Sequence, residues 1–220
     1  MLDVFLGHIL SHLKLEIREA IVFLRQAGTK DPGNYDAAWQ RAKCDYYLAT
    51  HTDDSAERDK AFQDGIEAGQ LAVKLQDGKP DGHFWLGANY GGAAQHSAIE
   101  GLATIDDIRT EMDTVIRLNE GYQDGSAYMV LGLVYLNAPK LVGGDPNKAV
   151  ELMEKGLRFG EPNAFLHLHL AEAYEKVGRK EDAKKQVNEI LSMKPDQNYL
   201  PEYQEAANGA KKLLDDLKAG

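Results

Sequence analysis

The chain is predicted to be all-α: an α-solenoid of about four helical hairpins with enlarged turns and capping helices. Three observations predict it. Apolar residues recur at helical spacing along nearly the whole sequence. A Leu-(Gly/Ala)-x2-Tyr signature appears at Leu86–Tyr90, Leu131–Tyr135 and Leu170–Tyr174. An Ala-x3-apolar signature follows in the partner segments, as at Ala149–Met153 and Ala183–Val187. The small residues let two helices approach and the large ones fill the space beside them. One such hairpin cannot bury its apolar face alone, so several must stack.

Residues 1–34 read as a capping half-repeat. Leu2, Phe5, Leu6, Ile9, Leu10 and Leu13 form one stripe of a helix, and Ile17, Ala20, Ile21, Leu24 and Ala27 continue it to Gly28 and Pro32. Basic residues are too few here for a membrane-lying helix. Residues 35–80 form the first full repeat, in which Trp39, Ala42 and Tyr46 match W-x2-L-G-x2-Y with Lys43 where glycine is usual. HTDDSAERDK reads as a loop or exposed helix start, and the partner helix as Ala61–Leu75. Gly65 and Gly69 inside it each cost about 1 kcal/mol against alanine, which implies a closely packed neighbour.

The second repeat spans 81–124. Leu86, Gly87 and Tyr90 carry the signature, AAQHSAIEGLATID reads as an insertion, and Ile108, Met112, Val115 and Leu118 face one way on the partner helix. The third spans 125–161, with its turn enlarged to NAPKLVGGDPNK and Asp145-Pro146 as the start of the next helix. The fourth, 162–195, turns at Gly178, and a C-terminal capping helix follows at 202–218. The whole reads as one domain, 1–220, of the tetratricopeptide (TPR) type. Its tyrosine spacing exceeds the ~34 residues of a bare repeat, and the extra residues are expected in turns.

Composition narrows the function. The chain has 220 residues, 43% hydrophobic and 27% charged, and a formal charge of −10. Nucleic acid and anionic membrane both require a basic face, so neither is expected as a partner. Cys44 is the single cysteine and reads as a small buried hydrophobe. No apolar run approaches the ~20 residues of a membrane span. MLDVFLGHILSHLK has no basic n-region or A-x-A-like site, so it does not read as a secretory signal. No nucleotide, zinc-protease or hydrolase motif is present, and no catalytic residue, metal ligand or cofactor is assigned. His167 and His169, two apart, cannot chelate together on a helix. A metal site from His83, His96 and His167 would need long-range folding. The Gly91-Gly92 and Gly143-Gly144 pairs read as turns.

In stacked hairpins of this kind the first helices line an inner groove. Tyr47, His83, Phe84, Tyr128, Met129, Leu133, Leu136, His167 and Leu168 are the candidates for that lining, and Asn89 and Lys140 for orienting a polar head. The groove is apolar, unlike one that holds a peptide carboxylate with Lys, Arg and Asn. It suits an apolar or amphipathic solute, a helix of a partner, or the insertions of this chain themselves.

Taken together, HFWLGANYGG, YLNAPKLVGGDPNKAVELMEKGL and FLHLHLAEAYEKVGRKEDAKKQVNEIL resemble the TatT family, the T-component of tripartite ATP-independent periplasmic (TRAP) transporters. The enlarged turn with GGDPNKA carries most of that resemblance. It covers roughly 70–195, and more loosely 16–195. It implies an all-helical TPR-like fold with a largely apolar ligand cavity, the transporter's solute-binding protein as partner, homo-oligomers, and a periplasmic lipoprotein location. Cys44 lies inside the repeats and is not a lipid anchor, so a cytoplasmic location also fits the residues. The expected function is non-enzymatic: binding a small apolar or amphipathic solute and docking a partner in solute uptake. The alternative is a generic TPR scaffold that holds a partner's helix or peptide.

Overall fold

The computed structural model describes the backbone of residues 2–96, 98–195 and 200–219, with the side chains of 2–13, 98–100 and 219 left aside. The stripe from Leu2 to Leu13 therefore lies outside the described side chains. The described residues form ten α-helices and one 3-10 turn and divide into two compact units, 1–118 and 119–220.

The first unit holds α1 (Leu2–Lys30), α2 (Tyr35–His51), α3 (Ser55–Leu75), α4 (Pro80–His96) and α5 (Ala98–Leu118). Consecutive helices from α1 to α5 pack on each other, and α2 also packs on α4. On α1, Ile21 is buried and Ile17 packs beside it against Leu48, Ala49, Ala61 and Phe62. Arg18 pairs with Glu57 of α3 through two bonds of 2.9 and 2.8 Å, and Arg25 pairs with Asp64 at 2.7 Å. The helix runs past Gly28 to Lys30 and stops ahead of Pro32, which disfavours helical geometry in the residue before it.

In this unit one sequence expectation is narrowed and one is corrected. Of the two readings of HTDDSAERDK, the exposed helix start holds: α3 begins at Ser55, ahead of Ala61, because the Asp54 side chain accepts from the N–H groups of Ala56 and Glu57 and caps it. The segment 93–106, expected as an inserted turn, is helical wherever it is described: α4 runs to His96 and α5 starts at Ala98. The extra residues of this unit lengthen helices instead of turns. In α2, Ala42 at the Leu position of the pattern is buried, as Leu86, Leu131 and Leu170 are, and Lys43 at the glycine position is half-exposed.

Close approach explains the helix-interior glycines. A Cβ on Gly69 would lie 2.9 Å from the Cα and Cβ of Leu86, so α3 and α4 meet at the backbone. Gly65 instead makes room for the side chain of Asn89.

The second unit holds α6 (Ser126–Asn137), a 3-10 turn (Lys140–Val142), α7 (Pro146–Gly156), α8 (Ala164–Lys176), α9 (Lys180–Ser192) and α10 (Leu200–Ala219). Its core runs from Ala149 and Met153 through Leu166, Leu170, Ala171 and Tyr174 to Val187, Ile190, Ala206 and Ala210. α10 packs on both α8 and α9 and closes this unit. Gly178, at φ +80°, makes the tight turn expected of it. The enlarged turn stands where expected. Asp145 caps α7 by accepting from Asn147 and Lys148 N–H, with Pro146 at the first helical position. Backbone bonds from Gly144 N to Pro139 O (3.1 Å) and Asp145 N to Tyr135 O (2.8 Å) close the turn. Gly143 bends it at φ +87°.

Candidate functional site

The face that α2 and α4 share in the first unit is aromatic. Trp85 is 4% exposed. Its ring centroid lies 5.7 Å from that of Tyr46, 5.9 Å from Tyr47 and 5.1 Å from Phe84, the last at 89°. Offset and edge-on arrangements such as these match the quadrupoles of the rings. Tyr47 also stacks on His51. Lys43 reaches over this group, its Nζ 5.6 Å from the Trp85 centroid and 6.0 Å from that of Tyr47. Among the candidates for groove lining, Tyr47 is half-exposed and Phe84 is buried against Trp85.

In the second unit Met129, Leu133 and Leu136 are half-buried against the core, and Leu168 is buried. Leu168 meets α10, since a Cβ on Gly209 would lie 2.8 Å from it. The Tyr128 hydroxyl donates to Glu120 at 3.1 Å, and its ring stacks on Phe159. Burial, then the bond to Glu120, pushes the Tyr128 hydroxyl above the ordinary tyrosine range. Lys140 stands exposed on the 3-10 turn beside Leu141, which is 99% exposed.

The two histidine candidates bind within their own hairpins, and Asn89 binds across to the preceding one. The His83 ring bonds Glu111 of α5 through Nδ1 at 2.6 Å and the Asp77 carbonyl through Nε2 at 2.8 Å. His167 repeats the arrangement with Gln186 of α9 at 2.7 Å and the Glu161 carbonyl at 2.9 Å. Asn89 is fully buried and donates to the Ala42 carbonyl at 3.0 Å and the Trp85 carbonyl at 2.7 Å. These three side chains hold helices together.

Sequence reasoning did not foresee two features. One is a buried charge cluster. Asp45, 1% exposed, lies 3.2 Å from Arg41 Nε. Arg41 and Asp64 approach at 3.6 Å, and Arg25 and Lys60 close on Asp64 at 2.7 and 3.0 Å. Burial pushes the Asp45 carboxyl up to about 6, against the pull of Arg41. The other is a half-open cleft of about 230 Å³ lined by Gln63, Ile66, Tyr90, Ala93, Ala94 and Thr104. It uses none of the groove candidates. Among the described residues no group of three acidic, histidine or cysteine side chains is placed to hold a metal ion. No described helix is long and apolar enough to cross a membrane.

Helical hairpins packed through small residues at their contacts define a TPR-like protein. The chain belongs to the TRAP transporter T-component family, whose model matches residues 24–218. Among solved structures it is similar to TTC0263, a thermophilic TPR protein of Thermus thermophilus, with a TM-score of 0.65 and 20% identity over 91% of this chain and 95% of that one. It is also similar to two structures of MamA. One has a TM-score of 0.55 and 24% identity over 82% of this chain and 90% of that one; the other has 0.54 and 21% over 81% and 82%. At these identities the likeness establishes the fold. No curated protein matches the sequence.

Proposed function

We propose that the protein is a non-enzymatic, periplasmic component of a TRAP-type uptake system that binds a small apolar or amphipathic solute and docks the transporter's solute-binding protein. The observation that carries this reading is membership of the T-component family across 24–218. The aromatic face of α2 and α4 supports the solute half, with Tyr47 and Phe84 among its lining residues. In the second unit Met129, Leu133 and Leu136 are the lining residues we assign, within a single repeat domain. For the docking half we assign the turn that displays Leu141, 99% exposed on a loop closed by backbone bonds.

Native mass spectrometry of the purified protein, before and after mild organic extraction, tests the solute half. A small-molecule mass that extraction removes is expected. A clean apo mass in both samples would sink that half and leave a scaffold for protein partners.

A further inference from the structure

We propose that α1 is a releasable strap of the first unit: it opens from α2 and α3 before they unfold, and three ion pairs to α3 are its latch. The device does not depend on which solute or partner the protein takes. Its starting point is how little apolar surface holds the helix. Of the α1 side chains that are described, 14–30, only Ile21 is buried, with Ile17 packed beside it. Leu15, Val22 and Phe23 are 54%, 51% and 67% exposed and add little to the grip. The capping helix of the second unit, α10, by contrast buries Ala206, Ala207, Ala210 and Leu217.

The second observation is the latch. Lys14, Arg18 and Arg25 stand at helical spacing on one side of α1. Each meets the carboxylate 39 positions further on: Asp53 at 3.2 Å, Glu57 at 2.8 Å and Asp64 at 2.7 Å. The Arg18 and Arg25 side chains keep 43% and 45% of their exposure in these pairs. Exposed ion pairs are weak singly and are screened by salt.

Release strands no charge. Glu57 keeps the Thr52 hydroxyl, Asp64 keeps Lys60 at 3.0 Å and Arg41 at 3.6 Å, and the Asp53 side chain is already in water. Breaking an ion pair is expensive where the charge left behind is buried and alone, which none of these is. In a repeat stack each unit contacts only its neighbours, so a terminal helix can leave while the rest stands. The pivot is the short turn 31–34. Its last residue, Asn34, caps α2 by accepting from Ala37 N–H and stays with that helix. Release uncovers Leu48, Ala49, Ala61 and Phe62, with Cys44 beside them.

The test is hydrogen exchange by mass spectrometry on the full chain, with the single thiol, Cys44, as a second reporter. Raising salt from about 0.1 to about 1 M shortens the screening length from about 10 to about 3 Å. The amides of α1 from Ile17 to Gly28 are expected to exchange about tenfold faster at the higher salt, with α2 and α3 unchanged. R18E should do the same at the lower salt, and R18E with E57R should return to within about threefold of the parent. Labelling of Cys44 by Ellman's reagent should rise and fall in step. If α1 exchanges together with α2 and α3, the first unit opens as one and there is no strap. If neither salt nor R18E speeds α1, or the charge swap stays as open as R18E, the latch is overturned. If α1 opens while the thiol rate stays flat, the face it is said to uncover is wrong.

Discussion

His83 and Glu111 meet at 2.6 Å, and the other ring nitrogen of His83 meets the Asp77 carbonyl at 2.8 Å. Both partners are acceptors, so the protonated ring, the imidazolium, can donate from both nitrogens and is the form that these contacts favour. The bond to Glu111 raises its pKa above the ordinary histidine value; the Asp77 carboxylate, 3.6 Å from Nε2, adds to the rise. A cation whose pKa is raised by folding contributes stability that is complete below the ordinary value near 6.5 and is lost as pH rises through the folded one. Thermal melts from about pH 5.5 to 9 should show Tm falling across that window. E111Q should set an amide against the ring, as Gln186 stands against His167, and a rotated amide can donate to a ring nitrogen. That variant should lose the slope, and about 1 kcal/mol at low pH, the difference between a charged and a neutral hydrogen bond. An unchanged slope in E111Q would refute the imidazolium.

Asp45 gives a second, lower window. Its carboxyl is pushed up to about 6 by burial, so the native state holds its proton more tightly than the unfolded chain. The stability it contributes is complete below the ordinary aspartate value of 3.8 and declines as pH rises through about 6. D45N should flatten the pH dependence of denaturant unfolding between about pH 4 and 6.5. Stranding one member of a buried pair ordinarily costs about 3–5 kcal/mol. Here Arg41 keeps Asp64 and the Asp64 carbonyl, so D45N above that window should be no less stable than the parent. A large loss with the slope intact would show that Asp45 is ionised and well paired throughout.

The repeat pattern was legible in the sequence because it is written in local residue sizes. Gly69, Leu86, Ala171 and Val187 stand at spacings that only helical hairpins satisfy. The Asp145-Pro146 start and the Gly178 turn were legible for the same reason. What was not legible depended on pairings distant in sequence. The fate of 93–106 turned on whether α4 and α5 had partners to extend along, and no local signal states that. Lys43 could be seen only as a departure from glycine; its place over Trp85 depends on how α2 packs on α4. His83 and His167 were legible as equivalent repeat positions, each packing within its own hairpin, but the partners that hold them there, Glu111 and Gln186, lie 28 and 19 residues away and carry no local signal.

The glycines separate backbone contact from side-chain contact. A Cβ on Gly69 would meet the Leu86 backbone, which cannot retreat without parting α3 from α4. A Cβ on Gly87 would meet the Met112 Cε, the tip of a flexible chain, with Glu111 Cβ next at 3.2 Å. Both substitutions gain about 1 kcal/mol of helix propensity. Urea unfolding should therefore show G69A losing about 2 kcal/mol net through overpacking. G87A should fall within about 1 kcal/mol of the parent, because methionine repacks readily. Equal losses at the two sites would mean that the helices do not approach as described.

Leu141 is the residue on which stability and docking part company. It is 99% exposed and contributes nothing to the core, whereas the turn beneath it is closed by backbone bonds and by Gly144, where a Cβ would strike the Ala138 carbonyl. L141D should leave Tm and helicity unchanged, with a stability change within about 0.5 kcal/mol. G144A should disorder the turn and destabilise the second unit, since the obstacle is backbone. If the turn docks the solute-binding protein, both variants should weaken that complex in surface plasmon resonance. L141D should do so by about tenfold or more, on the scale of a centrally buried leucine contact. L141D binding the partner as tightly as the parent would remove the turn from the interface, while a loss of fold in L141D would show that the side chain is not free.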